Sequence, residues 1–216
     1  MAVFTFVFGR LARVPSGGAP YPIFVLAGLL PWQFLAQGII RAGNSLVQER
    51  YLLTRISIPR LALPISGILS GLPDLAVGSS VLLGLMIFYG PRLELTILWL
   101  VPLLLLCIGL AMSVGLFVAA LNVRFRDVGY TIPFLVQLWF FITPVAYPSG
   151  LVPAKWQALY ALNPMGGVID GFRWAVLGGT DIPSSSIAIS VLGMSLLLAL
   201  ALFCFHRMER IFADVV

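Results

Sequence analysis

The 216-residue sequence predicts an all-helical integral membrane protein. Three observations predict it: long apolar stretches alternate with short arginine-bearing breaks, the composition is 60% hydrophobic against 10% charged, and the basic residues fall unevenly between the two sets of breaks. About 20 largely apolar residues are needed to cross about 30 Å of hydrocarbon, so such stretches make the bilayer the solvent.

Taken in order, residues 1–8 come first. Val3 to Phe8 is apolar but meets Arg10 too soon to cross, because a helix rises only about 1.5 Å per residue. The segment lacks the basic start, full apolar stretch and small-residue cleavage site of a signal peptide, and it reads as the end of a truncated first span. Four stretches of adequate length follow, Ile23 to Ile40, Leu61 to Tyr89, Leu95 to Leu121 and Ile187 to Phe205. A fifth, Ile132 to Ala146, is shorter and bounded by Pro133 and Pro144, but its core is uncharged and the flanking tyrosines extend it to 131–147.

Cytoplasmic connections carry the excess of Lys and Arg. Alternate threading puts Arg41, Arg50, Arg55, Arg60, Arg124, Arg126, Arg207 and Arg210 on one side, and Arg10, Arg13, Arg92, Lys155 and Arg173 on the other. The first group faces the cytoplasm. The net charge of +5 is then mostly cytoplasmic arginine, and no nucleic acid is needed to explain it.

Residues 44–58 place Leu46, Val47, Leu53 and Ile56 near helical spacing, with Gln48, Glu49, Arg50, Tyr51 and Arg55 among them and Pro59 closing the run. This reads as a short amphipathic helix along the inner surface, either an anchor on lipid headgroups or a docking element for a cytoplasmic partner. A second inner element, Leu121 to Tyr130, packs Arg124, Arg126 and Asp127 into one tight turn. The outer segment from Pro148 to Ser186 contains two stretches too short and too charged to span, 151–162 and 167–177, parted by Asn163-Pro164. They read as helices that dip into the outer leaflet and return, or as an interfacial hairpin, and the former is tolerated only when packed on protein or lining a wet cavity.

Trp139, Phe140, Phe141, Tyr147, Trp156, Tyr160, Phe172 and Trp174 gather at the outer level. An interfacial aromatic belt accounts for such a group, but Trp139 to Phe141 point to several sides of one helix, so some face inward, where flat rings can stack on sugars. Asp74, just after Pro73, is an ionisable residue at membrane depth with no evident basic partner; such groups face a bundle interior or water. Gly67 and Gly71 with Ser66 and Ser70 form a small-residue stripe for close helix packing, and Pro64 and Pro73 predict kinks. Cys107 and Cys204 lie within apolar spans as soft hydrophobes, and His206 sits beside Arg207 at a membrane exit; none of these has the neighbours a metal site requires.

Several of these runs together resemble the transmembrane subunit of an ABC-2 type exporter, specifically the polysaccharide or lipopolysaccharide export permeases. They are Ala27 to Trp32, Asn44-Ser45-Leu46 with Ile58-Pro59-Arg60, Leu121 to Val128, Phe141 to Tyr147, and Leu162-Asn163-Pro164-Met165. The resemblance covers almost the whole chain and departs at the start, where such permeases have an amphipathic segment and a complete first span. It implies a homodimer of six-span subunits in a bacterial inner membrane, each with two re-entrant outer helices forming a gate. It also implies two copies of a soluble ABC ATPase that hold ATP and magnesium, with residues 44–58 as the coupling helix and the Arg124–Asp127 turn beside it. The expected cargo is a lipid-linked polysaccharide such as O-antigen, moving among membrane lipid past the outer aromatics. This chain itself carries no cofactor by that reading, and its sequence has no Gly-x-x-x-x-Gly-Lys-Ser/Thr phosphate loop.

Exporters of teichoic acid, capsule, lipid or a small molecule share the class. A membrane-embedded sugar transferase is the alternative from another class, and it calls for clustered carboxylates or histidines, whereas Asp127, Asp170 and Asp181 stand apart in the sequence. A structural scaffold is the third reading.

Overall fold

The structure, a computed structural model, describes residues 20–51, 59–89, 95–125, 127–148, 153, 155–156, 160, 162–178 and 182–215, with side chains to 208. The expected end of a first span at 1–8, the remainder of the coupling helix at 52–58 including Arg55, and Arg126 lie outside the described residues. So does most of the first outer helix.

The first helix, α1 (Tyr21–Gln48), opens on Pro20 and Pro22, whose missing N–H groups cost nothing in a first helical turn. Its 28 residues reach about 42 Å, more than a bilayer core. Here the expectation of a separate surface helix beginning at Asn44 is corrected. Residues 44–48 are the inner end of the span, because Leu46 continues its apolar face and packs against Leu116, Ala119 and Phe205.

The expected span 61–89 is two helices, α2 (Ala62–Leu69) and α3 (Leu72–Tyr89). Pro73 causes the break, since it has no N–H to offer the Leu69 carbonyl and its ring crowds that turn. The Gly67 stripe faces α1, where a Cβ on Gly67 would meet the backbone of Arg41 and Ala42 at 3.3 Å. A 3-10 turn (Leu95–Trp99) leads into α4 (Leu100–Arg124), and α5 (Asp127–Ile142) follows. Helix α5 stops before 147, correcting the expected 131–147. Pro144 biases Thr143 away from helical geometry, and residues 143–146 form a buried turn. Its 16 residues reach about 24 Å.

Helix α6 (Pro164–Leu177) is built from strong signals: the Asn163 side chain caps it by accepting from the Met165 N–H, Pro164 starts it, and Gly178 at φ 69° ends it. At 14 residues it is too short to span. Finally α7 (Ser184–Val215) carries an apolar section, Ser184–Met208.

Among the described residues four helical sections are long and apolar enough to cross a membrane: Tyr21–Gln48, Ala62–Tyr89, Leu95–Arg124 and Ser184–Met208. They differ in what surrounds them. The first and third are 72% and 61% buried in protein, the second and fourth only 17% and 11%. Helix α1 packs on α2 through α6, and α4 packs on α1, α2, α5, α6 and α7, so these two form the axis of the bundle. Helices α3 and α7 turn Val77, Ile87 and Phe88, and Leu192, Leu196 and Phe203, outward. A large exposed apolar face of this kind is natural against lipid.

Candidate functional site

At the inner end, α1 finishes with Gln48, Glu49, Arg50 and Tyr51 all exposed. The neighbouring turn presents exposed Arg124, whose guanidinium lies 5.3 Å from the Phe125 ring centre, and exposed Asp127 at the start of α5, where a carboxylate suits the helix dipole. The two elements are joined by Asn122, which is only 2% exposed. Its Nδ2 donates to the Gly43 carbonyl at 2.9 Å and to Asn44 Oδ1 at 3.1 Å, and its Oδ1 accepts from the Gly129 N–H at 2.9 Å. The sequence expectation that these two inner elements lie side by side thus acquires a physical bond.

Halfway along, α1 and α3 enclose a groove of about 180 Å³ lined by Gln33, Phe34, Gln37, Asp74 and their apolar neighbours. Asp74 was read as having no basic partner; the structure corrects this. Arg41 donates to its Oδ2 at 2.9 Å and to the Ser70 hydroxyl at 3.3 Å. The pairing escaped sequence reading because Arg41 was assigned to a loop. With α1 continuing to Gln48, Arg41 sits on a helix, and the break before Pro73 brings Asp74 beside it.

The outer end is aromatic and drier. Trp139 and Phe140, half-buried, pack on buried Trp32 with ring centres 5.8 and 5.6 Å away, the first edge-on at 90°. The Trp139 indole donates to Asn163 Oδ1 at 3.1 Å, Asn163 Nδ2 donates to the Thr143 hydroxyl at 2.9 Å, and that hydroxyl donates to the Trp139 carbonyl at 2.8 Å. One asparagine therefore caps α6 and holds the end of α5. Below it Arg173, 6% exposed, donates to the Val145 carbonyl at 2.6 Å and the Tyr147 carbonyl at 3.3 Å, while its guanidinium lies 3.8 Å from the centre of the Phe24 ring. Burial pulls the Arg173 pKa down to about 10, with Asp170 opposing, so it stays charged at neutral pH. Tyr147 and Tyr160 meet hydroxyl to hydroxyl at 2.7 Å.

The predicted aromatics separate accordingly. Trp139, Phe140, Tyr147 and Tyr160 gather around the turn, and Phe141 and Trp156 are exposed. Trp174 pairs with Trp99 at 6.0 Å. Phe172 is a correction: at 6% exposure it is part of the core, with little surface left to line a path. Sequence reasoning gave no site role to Trp32, Arg41, Asn122, Thr143, Asn163 or Arg173. The available signal was polar residues at the ends of apolar stretches.

A bundle of this composition, with an exposed polar inner face and an aromatic outer end, matches a known family over most of its length: the ABC-2 type transporter profile covers residues 1–177. The chain belongs to the ABC-2 type transporter family. It is similar to an O-antigen export system permease protein RfbA of Klebsiella pneumoniae, 25% identical over 217 residues that make up 99% of this chain and 82% of that protein. The protein of the same name from Myxococcus xanthus is 28% identical over 92% of this chain and 76% of its own length. Inner membrane transport permease YadH of Escherichia coli K12 is 22% identical over 97% and 84%. An ABC-2 permease is a transport component of the membrane, and the spans of this chain accord with that.

Proposed function

We propose that this chain is the permease subunit of an ATP-driven exporter that passes a lipid-linked polysaccharide such as O-antigen outward across a bacterial inner membrane. The observation that carries the reading is likeness over 99% of the chain to a relative named an O-antigen export system permease. In this reading two copies form the passage, and each binds one soluble ABC ATPase that holds the nucleotide and magnesium. Gln48, Glu49, Arg50 and Tyr51, with Arg124 and Asp127 beside them, form the described part of the ATPase-facing surface, and Arg55 and Arg126 complete it. The α6 helix and the segment before it act as a re-entrant outer gate, with Phe141, Tyr147, Trp156 and Tyr160 offering ring faces to sugars. Likeness to a relative named only as a transport permease supports a second reading, an ABC-2 exporter of teichoic acid, capsule, lipid or a small molecule.

Mild-detergent purification of the tagged full-length protein from its host, followed by mass spectrometry, tests the proposal. A stoichiometric ATPase, released when Glu49 and Arg50 are both reversed in charge, is the expected result. Absence of any ATPase across several detergents would sink the exporter reading.

A further inference from the structure

Helix α5 is held at both ends by an asparagine that belongs to a different element. At its outer end Asn163 grips Trp139 and Thr143. At its inner end Asn122, from the last turn of α4, accepts from the Gly129 N–H, one of the donors that a helix leaves unpaired in its first turn. The same Asn122 amide grips Gly43 and Asn44 of α1, four to seven residues before the exposed tip Gln48–Tyr51. The fit is close: a Cβ on Gly129 would lie 2.9 Å from Asn44 Oδ1 and 3.0 Å from Asn122 Oδ1. A buried amide is costly unless its donors and acceptor are satisfied, and here both ends of the group are used across three helices.

We infer that Asn122 is a positioning residue for transport: it ties the cytoplasmic tip of α1 to α5, so that displacement of that tip is carried along α5 to the outer Trp139–Asn163 contact. The inference rests on the exporter reading and adds to it a named mechanical link. A single helix is a suitable carrier because its backbone hydrogen bonds make it stiff along its axis, whereas the Phe125–Arg126 connection alone leaves α5 tied to α4 by a loop.

The test uses the full-length protein purified with its host ATPase in nanodiscs. Hydrogen exchange is compared with and without Mg-ATP and vanadate, in wild type, Asn122→Leu and Gly129→Ala. In the wild type, nucleotide alters exchange at both 44–51 and 139–147. In Asn122→Leu the ATPase stays bound, its basal hydrolysis remains within two-fold, and the response at 44–51 persists, while the response at 139–147 falls at least five-fold. Gly129→Ala, which wedges the contact without deleting a polar group, gives the same uncoupling and serves if Asn122→Leu does not assemble. Retention of more than half the response at 139–147 in either assembled variant overturns the inference. Loss of ATPase binding and of both responses together in both variants also overturns it, since a purely structural role produces that. A wild type that retains no ATPase defeats the exporter reading and the inference with it.

Discussion

The two ends of α5 solve the same problem with different chemistry. Each is pinned by one asparagine, but the inner contact is small and uncharged, an amide between Gly43, Asn44 and Gly129, while the outer one is surrounded by rings and a buried guanidinium. Burial makes each unmade polar contact expensive, so the end with more buried polarity is the less forgiving to break. The outer end is therefore the rigid one, and the inner end is the place where a modest force can move a helix without stranding a charge.

The largest loss is expected at the outer end. Arg173→Met strands the Val145 and Tyr147 carbonyls and removes the cation over Phe24, and should destabilise the protein by about 3 kcal/mol, at the upper end for a broken buried hydrogen-bonded group. Thermal unfolding in detergent checks it, and a loss no greater than that of Asn122→Ala would erase the contrast between the ends. Asn163→Ala comes next at about 2 kcal/mol, a helix cap plus an orphaned indole donor, and tryptophan fluorescence should report the changed setting of Trp139. Gly28→Ala sharpens the comparison with Gly129→Ala. Its Cβ would meet Arg173 Nη2 and the Val145 carbonyl at 3.0 Å, so both glycines wedge a clamp and each should cost about 1 to 3 kcal/mol. Gly166→Ala, where the nearest neighbour is 3.8 Å away, should cost far less, and equal melting shifts for all three would show that clamp crowding is not the cause. The smallest effect is expected between the ends, at the exposed pair of Arg41 and Asp74. Asp74→Asn should change stability by under about 1 kcal/mol, as solvent-exposed ion pairs do, so a drop comparable to Arg173→Met would mean the groove is closed in the assembled protein.

Much of this molecule is legible in its sequence. The four long spans appear within a few residues of their observed limits, and the misplacements have local causes. Helix α1 runs on through Asn44 because Leu46 keeps its apolar face, and α5 ends early because Pro144 follows Thr143. The candidate site was less legible. Aromatic clustering pointed to Trp139 and Phe140, but it also drew in Phe172, since a helical aromatic looks alike in sequence whether it faces a path or the core. The polar residues that organise the site, Arg41, Asn122, Asn163 and Arg173, are single letters at the ends of apolar runs, and their partners are mostly tens of residues away.

Residence in a bilayer, helical class and the number of long spans follow from runs of contiguous apolar residues, because transfer into hydrocarbon depends on the chain a segment at a time. Which helices form the axis, that Asp74 has a cation beside it, and that one amide joins three helices depend instead on the rotation and register of packed helices. Those are set by the sum of side-chain contacts over the whole bundle, and no local pattern encodes that sum.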